Sequence, residues 1–212
     1  MAMCPGNPNG VAIAILAKAP LPGLAKTRLA PVLGADGAAN LQARFIAHTV
    51  TTAQSAAVGP VTLWAAPDRH HPVFQAITTP PGVALAAQPE GDLGARMMAA
   101  VEAARGPAIV VGTDCPALTP EHLRAAARTL LDGIDVVIIP VDDGGYGLIG
   151  MQRPQPALFE GMTWSTSSVM AETRRRLSRL GLSWREPARA WDVDVPADLD
   201  RLAGAGLASL MR

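Results

Sequence analysis

Five short apolar runs recur along the chain, and stretches with helical features separate them. The runs cover residues 11–15, 61–66, 83–86, 108–112 and 135–140. The run at 108–112 is almost purely apolar, which is typical of a central strand covered on both faces. Between the first two runs, a helix is predicted to open at Asp36 or Gly37 and to continue to about Ala56. The alternation predicts an α/β fold, a three-layer sandwich around a mostly parallel sheet.

Composition limits the kind of protein further. With 212 residues of which 49% are hydrophobic, the chain can bury one substantial core, so residues 11–212 are predicted to form one domain after a tail over residues 1–10. The 18 basic and 18 acidic side chains balance, which argues against nucleic-acid or membrane partners. Two cysteines cannot form a disulfide framework, and no apolar run is long enough to span a membrane. A cytoplasmic protein is therefore predicted.

The loop after the first apolar run contains both lysines of the chain, Lys18 and Lys26. An ammonium group is a compact charge on a flexible stem, which suits phosphate oxygens at the end of a strand. Further donors and turn-forming residues in the same loop are Gly23, Thr27 and Arg28. We interpret the loop as a phosphate-binding loop, and the alternative is a solvated basic loop.

A second polar loop follows the third apolar run and leads into a helix. It contains two glycines, Gly91 and Gly94, next to Asp92 and Arg96. Glycines let the backbone approach a ligand, and the start of a helix offers free amide donors. The loop is therefore a candidate nucleotide-binding element, although an ordinary capped turn fits the same residues.

A lone carboxylate, Asp114, follows the fourth apolar run. The carboxyl end of a central strand is where open α/β sheets place groups that handle ligands. Thr119 already supplies a cap for the next helix, which favours a metal ligand at Asp114 over a turn-forming aspartate.

Three later acids are further candidates for the same site. Asp143 follows the fifth apolar run in a segment rich in glycine, where a plain hairpin turn is the alternative. Asp192 and Asp194 project from the same side of an extended segment, so both can address one site.

Together these residues predict a site for a polyphosphate and a divalent metal. Lys18, Lys26 and Arg28 would hold the phosphates, and Mg²⁺ or Mn²⁺ would bridge them to Asp114 and to a late acid, Asp192 or Asp194. Mg²⁺ binds through one or two carboxylates plus substrate phosphates, so few acids are sufficient. Such a site stabilises charge without a covalent nucleophile, with Lys26, Asp114 and Asp143 as the candidate catalytic residues.

Several of these motifs occur in the order of a known family. They are the first loop over Leu16–Leu29, the segment Gly91–Met97, Gly112–Pro116, Asp143–Tyr146 and Trp191–Pro196. Over roughly residues 11 to 203 the chain resembles the glycosyltransferase-A-like transferases named radical-SAM/selenodomain-associated transferases. This resemblance implies the fold of the nucleotide-diphospho-sugar transferase superfamily, a GT-A, Rossmann-like sandwich whose mixed sheet has one antiparallel strand.

The first loop is also similar to that of the phospholactate guanylyltransferases. By this resemblance Lys18, Lys26 and Arg28 contact nucleotide phosphates and Asp114 holds Mg²⁺. The loop lacks the glycine-dense pattern of the molybdenum-cofactor and sugar nucleotidyltransferases. The Asp-x-Asp signature of many glycosyltransferases is reduced here to Asp114 alone.

Three functional hypotheses remain at this level. The first is a metal-dependent nucleotidyltransferase that uses a nucleoside triphosphate and a small phosphorylated acceptor. The second is a glycosyltransferase with a nucleotide-sugar donor, and the third is a nucleotide-binding module without catalysis.

Overall fold

A computed structural model describes residues 10–78 and 82–211 of the chain. The strands are β1 (Ala12–Lys18), β2 (Val61–Ala66), β3 (Val83–Ala87), β4 (Ala108–Gly112), β5 (Val136–Pro140), β6 (Tyr146–Met151) and β7 (Trp184–Arg185). The helices are α1 (Ala30–Ala56), α2 (Pro72–Thr78), α3 (Leu93–Ala104), α4 (Pro120–Leu131), α5 (Val169–Leu180) and α6 (Ala197–Gly204), with 3₁₀ turns at Pro156–Leu158 and Ala208–Met211. The predicted N-terminal tail lies outside the described residues except for Gly10.

One sheet contains the seven strands in the order β3-β2-β1-β4-β6-β5-β7. β1 pairs in parallel with β2 on one side and with β4 on the other. β6 runs antiparallel between β4 and β5. The predicted α/β sandwich and the single antiparallel strand implied by the resemblance are both confirmed.

The side chains of β1 alternate between two apolar layers, as period-two geometry requires. Ile13 and Ile15 belong to a core shared with α1, α2 and α4. Ala14 points to the other face, into a core built with α3 and α5. Helices therefore cover both faces of the sheet, which explains why its central strands are apolar throughout.

The start of α1 differs from the sequence-based prediction. The helix begins at Ala30, and Gly34 interrupts it with a non-helical backbone (φ 72°, ψ 166°) before the stretch that was expected from Asp36 or Gly37. The short helix α2 was not predicted, because it buries only Phe74 and has no apolar periodicity to detect. Although α1 has 27 residues, no helix within 10–78 and 82–211 is long and apolar enough to cross a membrane.

Candidate active site

The sequence-predicted site residues lie at one edge of the sheet, on loops, at the end of β1 and in the first turn of α3. This edge holds the carboxyl ends of β1, β3, β4 and β5, and β6 begins there because it runs antiparallel to its neighbours. The chain moves outward from β1 to β2 and β3, and then returns to β4 on the opposite side of β1. Such a reversal of strand order leaves a crevice between two loops, where open α/β sheets bind ligands.

Lys26 joins three segments at this crevice. Its Nζ lies 2.5 Å from Oδ1 of Asp114 and donates a 2.6 Å hydrogen bond to the carbonyl oxygen of Val193. Oδ1 of Asp194 lies 3.4 Å away, and the ring centroid of Phe45 lies 5.7 Å away. Only 4% of the Lys26 side chain is exposed. The ammonium therefore fixes the first loop against the end of β4 and the segment before α6.

The backbone of Lys26 is in the left-handed region, with a φ of +47°. A side-chain-bearing residue adopts this conformation at an energetic cost, and such residues concentrate at functional sites where surrounding contacts enforce them. Here the enforcing contacts are the Asp114 ion pair and the bond to Val193. Gly23, earlier in the same loop, has a φ of +76°, which explains a glycine at that position.

The three cations of the first loop have different surroundings, although the sequence suggested one common role. Arg28 is 70% exposed and forms a 2.9 Å ion pair with Oδ2 of Asp194. Lys18 is exposed at the end of β1 and has no ion pair within the described part of the chain. Lys26 faces the protein, so Lys18 and Arg28 are the two cations that face solvent at the crevice.

Asp192 lies beside Asp114, in the segment that leads to α6. The amide of Val193 donates to the carbonyl oxygen of Asp114 (2.9 Å), and Sγ of Cys115 donates to the carbonyl oxygen of Trp191 (3.0 Å). Burial, followed by the charge of Asp143 and then by other nearby acids, raises the pKa of Asp192 to about 6. Asp143 and Asp192 therefore repel each other, and a cation between them would relieve the repulsion.

Because the pKa of Asp192 in the folded protein is above its ordinary value of 3.8, the folded state binds the proton more tightly than the unfolded state. Its stabilising contribution is complete below pH 3.8 and is lost as the pH rises through about 6. We expect Asp192→Asn to remove this decline and to raise the free energy of unfolding at pH 7. Urea denaturation across this pH range tests the prediction, with the exposed Asp200→Asn as control; an unchanged slope in Asp192→Asn would contradict it.

The two adjacent acids Asp142 and Asp143 both lie in the turn between β5 and β6, but they have different partners. Asp142 forms a 2.7 Å ion pair with Arg201, whose guanidinium also lies 4.7 Å above the ring centroid of Trp191. Oδ1 of Asp143 accepts a 2.7 Å hydrogen bond from the amide of Gly145. The segment is a hairpin turn, as the alternative stated, and it also places Asp143 within electrostatic reach of Asp192.

The loop before α3 forms its own hydrogen-bond network. Asp92 caps α3 by accepting from the amide of Ala95 (2.9 Å), and it also accepts from Nε1 of Trp164 (3.2 Å). Arg96 donates to the carbonyl oxygen of Gly91 (3.1 Å) and to Oε1 of Gln88 (3.3 Å). Asp92 thus performs the capping role of the alternative interpretation, and its contact with a nucleotide stays a prediction.

Gly94 has a packing reason to be glycine. An added Cβ there would lie 2.7 Å from Cβ of Phe159 and 2.9 Å from the ring of Trp164. Close packing, rather than open space for a ligand, therefore surrounds this position. Gly91 has a φ of +113°, so its backbone requires glycine for a conformational reason.

Gln88 and Trp164 take part in the site, and sequence reasoning missed both as functional residues. Nε2 of Gln88 donates to the carbonyl oxygens of Ala17 (3.0 Å) and Trp64 (2.8 Å), so it joins the ends of β1 and β2 to the loop that follows β3. The signal for Gln88 was its position as the first polar residue after a predicted strand. Nothing local in the sequence indicated that Trp164 reaches Asp92, 72 residues earlier.

Comparisons with known proteins identify the family of the chain and its fold. The profile of a family described as uncharacterized proteins conserved in bacteria, DUF2064, matches residues 49–166, which is more than half of the chain. The chain belongs to the DUF2064 family. A search of curated proteins finds no significant match.

Among solved structures, a candidate nucleotide-diphospho-sugar transferase from Desulfovibrio desulfuricans is 30% identical to this DUF2064 chain. The match covers 87% of this chain and 82% of the other, with a TM-score of 0.80. A nucleotidyl transferase from Methanothermobacter is 15% identical over 95% and 99% of the two chains, with a TM-score of 0.65. The synthetase of CMP-2-keto-3-deoxy-manno-octonic acid, solved with CTP, is 16% identical over 94% and 99%, with a TM-score of 0.58.

These relatives establish the fold of the DUF2064 protein. Its fold is that of the nucleotide-diphospho-sugar transferases and nucleotidyltransferases, as the sequence resemblance implied. The two relatives below 25% identity support the fold alone.

The predicted metal ligands do not form a ready-made cluster. Among the described residues, no three His, Cys, Asp or Glu side chains are grouped so that they could hold a metal ion. Backbone contacts bring Asp114 next to the Asp192–Asp194 segment, but the Lys26 ammonium contacts both Asp114 and Asp194. Carboxylate oxygens suit a hard divalent cation, and 55% of the Asp114 side chain is exposed. These carboxylates fit a metal ion only if a bound molecule, such as one that carries phosphate groups, supplies further oxygen atoms.

Proposed function

We propose that this DUF2064 protein is a metal-dependent nucleotidyltransferase that acts on a nucleoside triphosphate and a small phosphorylated acceptor. The observation that carries the proposal is the network around Lys26, which joins the first loop to Asp114 at the reversal of the strand order. The network holds a half-exposed carboxylate next to two solvent-facing cations, Lys18 and Arg28. A metal-bound polyphosphate complements this combination of charges.

The roles follow from the surroundings of each residue. Lys18 and Arg28 bind phosphate oxygens, with Gly23 and Thr27 shaping the loop between them. Lys26 orients Asp114 from inside the protein. Gly91, Asp92 and Arg96 form the wall of the nucleotide site on the side of α3, and Gly94 lets the start of α3 pack against Phe159 and Trp164 behind that wall.

Mg²⁺ or Mn²⁺ would be held by Asp114 and by Asp192 or Asp194, and when bound it would neutralise charge on the donor phosphates. Two features favour Asp192 over Asp194 as the second ligand. Asp194 already pairs with Arg28, whereas the charges that act on the pKa of Asp192 are those of other carboxylates, Asp143 first. A metal ligand that lacks a protein cation as partner is the one that gains most from binding a metal.

A phosphorylated acceptor fits a site without a dedicated base. The second proton of a phosphate monoester has a pKa of about 6, so an acceptor oxygen is already ionised at neutral pH. That oxygen forms a bond to the α-phosphorus of the donor, the bond from this phosphorus to the bridging oxygen breaks, and pyrophosphate leaves with the electron pair. The protein has to align the two anions and screen their repulsion, which is the task of Lys18, Arg28 and the acidic metal ligands.

A glycosyltransferase is the second candidate, because the relative with 30% identity is described as a nucleotide-diphospho-sugar transferase. In that reaction Asp192, with a pKa of about 6 and Asp143 nearby, would accept the proton of an acceptor hydroxyl. A nucleoside diphosphate would then leave the sugar. A binding module without catalysis would release neither product.

The experiment that separates these reactions identifies the leaving group. The protein is incubated with Mg²⁺, each of the four nucleoside triphosphates or a nucleotide sugar, and a mixture of small phosphorylated metabolites, and the products are followed by ³¹P NMR. We expect pyrophosphate from one of the triphosphates. Release of a nucleoside diphosphate from a nucleotide sugar, without pyrophosphate, would instead support glycosyl transfer.

A further inference from the structure

The ammonium group of Lys26 is surrounded by oxygen atoms from two other segments of the chain. Its Nζ lies 2.5 Å from Oδ1 of Asp114, 2.6 Å from the carbonyl oxygen of Val193 and 3.4 Å from Oδ1 of Asp194. An ammonium carries three N–H donors, so these three oxygens account for all of them. Carboxylate and carbonyl oxygens are also the ligands that a hard divalent cation takes in proteins. Lys26 therefore binds oxygens that also suit a metal ion.

Several contacts hold the side chain of Lys26 in this position. Only 4% of it is exposed, and the ring centroid of Phe45 lies 5.7 Å from Nζ. The left-handed backbone of Lys26 directs the side chain away from solvent. Arg28 differs, because its side chain is 70% exposed and its ion pair with Asp194 faces solvent. The positive charge of Lys26 is thus a fixed part of this edge of the sheet.

The carboxylates that Lys26 contacts are also open to solvent. The exposed fraction is 55% for the side chain of Asp114 and 43% for that of Asp194. A metal ion from solution can therefore reach Asp114, and access does not decide whether it binds. The charge of Lys26 opposes binding, since a metal ion on Asp114 has to share this carboxylate with the ammonium. Solvent and salt screen such a short-range repulsion only weakly when one of the charges is buried.

The phosphates of a nucleotide would change this balance. They supply oxygen ligands for the metal ion and negative charge that offsets the repulsion between the ion and Lys26. Lys18 and Arg28 face solvent and are placed to bind phosphate without occupying Asp114. Asp114 is therefore a poor ligand for a bare metal ion and a good ligand for an ion that arrives with a nucleotide.

We propose that Lys26 is a positioning residue that keeps a bare divalent metal ion off Asp114, so that the ion enters the site together with the nucleotide. The inference rests on the proposed function in one respect, because it takes Asp114 as the metal ligand of the nucleotide site. A purely structural role of Lys26 predicts the opposite effect on metal binding. Loss of a structural support would loosen Asp114 and weaken metal binding, whereas loss of a competing charge strengthens it.

The direct test measures binding of Mn²⁺ without nucleotide, from the EPR signal of the free ion. We expect Lys26→Met to bind Mn²⁺ about tenfold more tightly than the wild type or better, because one positive charge next to Asp114 is removed. Lys18→Met is the control, since it removes the other lysine of the chain, which is exposed at the end of β1. It should change the affinity by about twofold or less, because solvent screens an exposed charge.

Two further variants make the result specific. Adding Asp114→Asn to Lys26→Met should abolish the gain, which locates the ion at Asp114. Lys26→Gln removes the charge but keeps N–H donors for the carbonyl oxygen of Val193, so it should show the same gain with a smaller loss of stability. Mn²⁺ should raise the melting temperatures of both single Lys26 variants by more than that of the wild type, because tighter binding to the folded state stabilises it.

Two outcomes overturn the proposal. The first is an affinity for Mn²⁺ in both single Lys26 variants that equals that of the wild type or falls below it. The second is a gain in affinity that persists in the double variant, because the ion then binds away from Asp114.

Calorimetric titrations with non-hydrolysable analogues of the nucleoside triphosphates, with Mn²⁺ and with EDTA, separate this inference from the proposed function. A wild-type protein that binds every analogue equally well under both conditions contradicts the metal-dependent nucleotide site. A gain in Mn²⁺ affinity in the Lys26 variants of such a protein still supports exclusion of the bare ion. Analogue binding by the wild type that requires Mn²⁺, without any gain in the Lys26 variants, supports the nucleotide site and overturns the role of Lys26.

Discussion

Asp114→Asn is expected to lower the rate of metal-dependent transfer by about 100-fold or more, because metal stabilisation of transition-state charge is worth several kcal/mol. The amide is nearly the same size as the carboxylate but carries no charge. It would therefore bind a divalent cation poorly and leave the donor phosphates without their counter-charge. Asp114 follows the central strand β4, and both enzyme hypotheses require it as a metal ligand.

The control for this substitution is Asp132→Asn, an exposed aspartate at the end of α4, at the opposite edge of the sheet. The two variants are compared by initial rates at saturating Mg²⁺ and by circular dichroism. Asp114→Asn should retain its helical signal, because more than half of the side chain is exposed and Lys26 keeps its bond to Val193. Wild-type rates in Asp114→Asn would show that Asp114 is a turn residue and that the proposed location of the metal site is wrong.

Lys26→Met is expected to destabilise the folded protein by about 2–3 kcal/mol, since it removes a buried partner of two carboxylates and of a backbone carbonyl. Asp114 and Asp194 keep contact with solvent, which limits the loss. For a chain of this size, the melting temperature should fall by roughly 5–10 °C. Nucleotide binding should weaken as well, because the first loop and Asp114 are no longer held together.

Lys18→Met is the matched control, since it removes the other lysine of the chain, at the end of β1 just before the same loop. Lys18 is exposed and forms no ion pair within the described residues, so its loss should leave the melting temperature unchanged and weaken only the binding of nucleotide. Differential scanning fluorimetry and calorimetry on both variants check this division. Equal melting temperatures for Lys26→Met and wild type would contradict the role of Lys26 inside the protein.

The sheet could be predicted from the sequence because most of its strands correspond to short apolar runs that are visible locally. Ala108–Gly112 and Val136–Pro140 are buried almost throughout, so neither needed distant information to be recognised. The family resemblance implied a mixed sheet with one antiparallel strand, and the pairing of β6 with β4 and β5 confirms such a strand. The helical stretch before Gly34 escaped prediction because the four residues 30–33 are too few to show an apolar periodicity.

The arrangement within the site could be predicted only in part. Both lysines were assigned to one predicted loop, although Lys18 ends β1, and nothing in the sequence indicates that one ammonium is exposed while the other is buried. That difference depends on the φ of +47° at Lys26 and on Asp114 and Val193, which lie 88 and 167 residues further along the chain. Pairings over such separations depend on how α6 and its preceding segment pack against α1, where Phe45, Val193 and Leu199 share one apolar core.

The adjacent acids Asp142 and Asp143 illustrate the same limit. Both follow the fifth apolar run in the same glycine-rich segment, and no local pattern distinguishes them. The structure pairs Asp142 with Arg201 of α6 and leaves Asp143 to act on Asp192. What distinguishes the two acids is therefore a contact with Arg201 of α6, which lies 59 residues after Asp142 in the chain.

The proposed metal-dependent nucleotide site is built around Asp114 and Lys26. The decisive experiment titrates the wild-type protein with non-hydrolysable analogues of the four nucleoside triphosphates, once with Mg²⁺ and once with EDTA. We expect at least one analogue to bind about tenfold more tightly or better with Mg²⁺, because a shared metal ion adds a further contact between donor and protein. Equal affinity with Mg²⁺ and with EDTA for every analogue would contradict a metal-dependent nucleotide site.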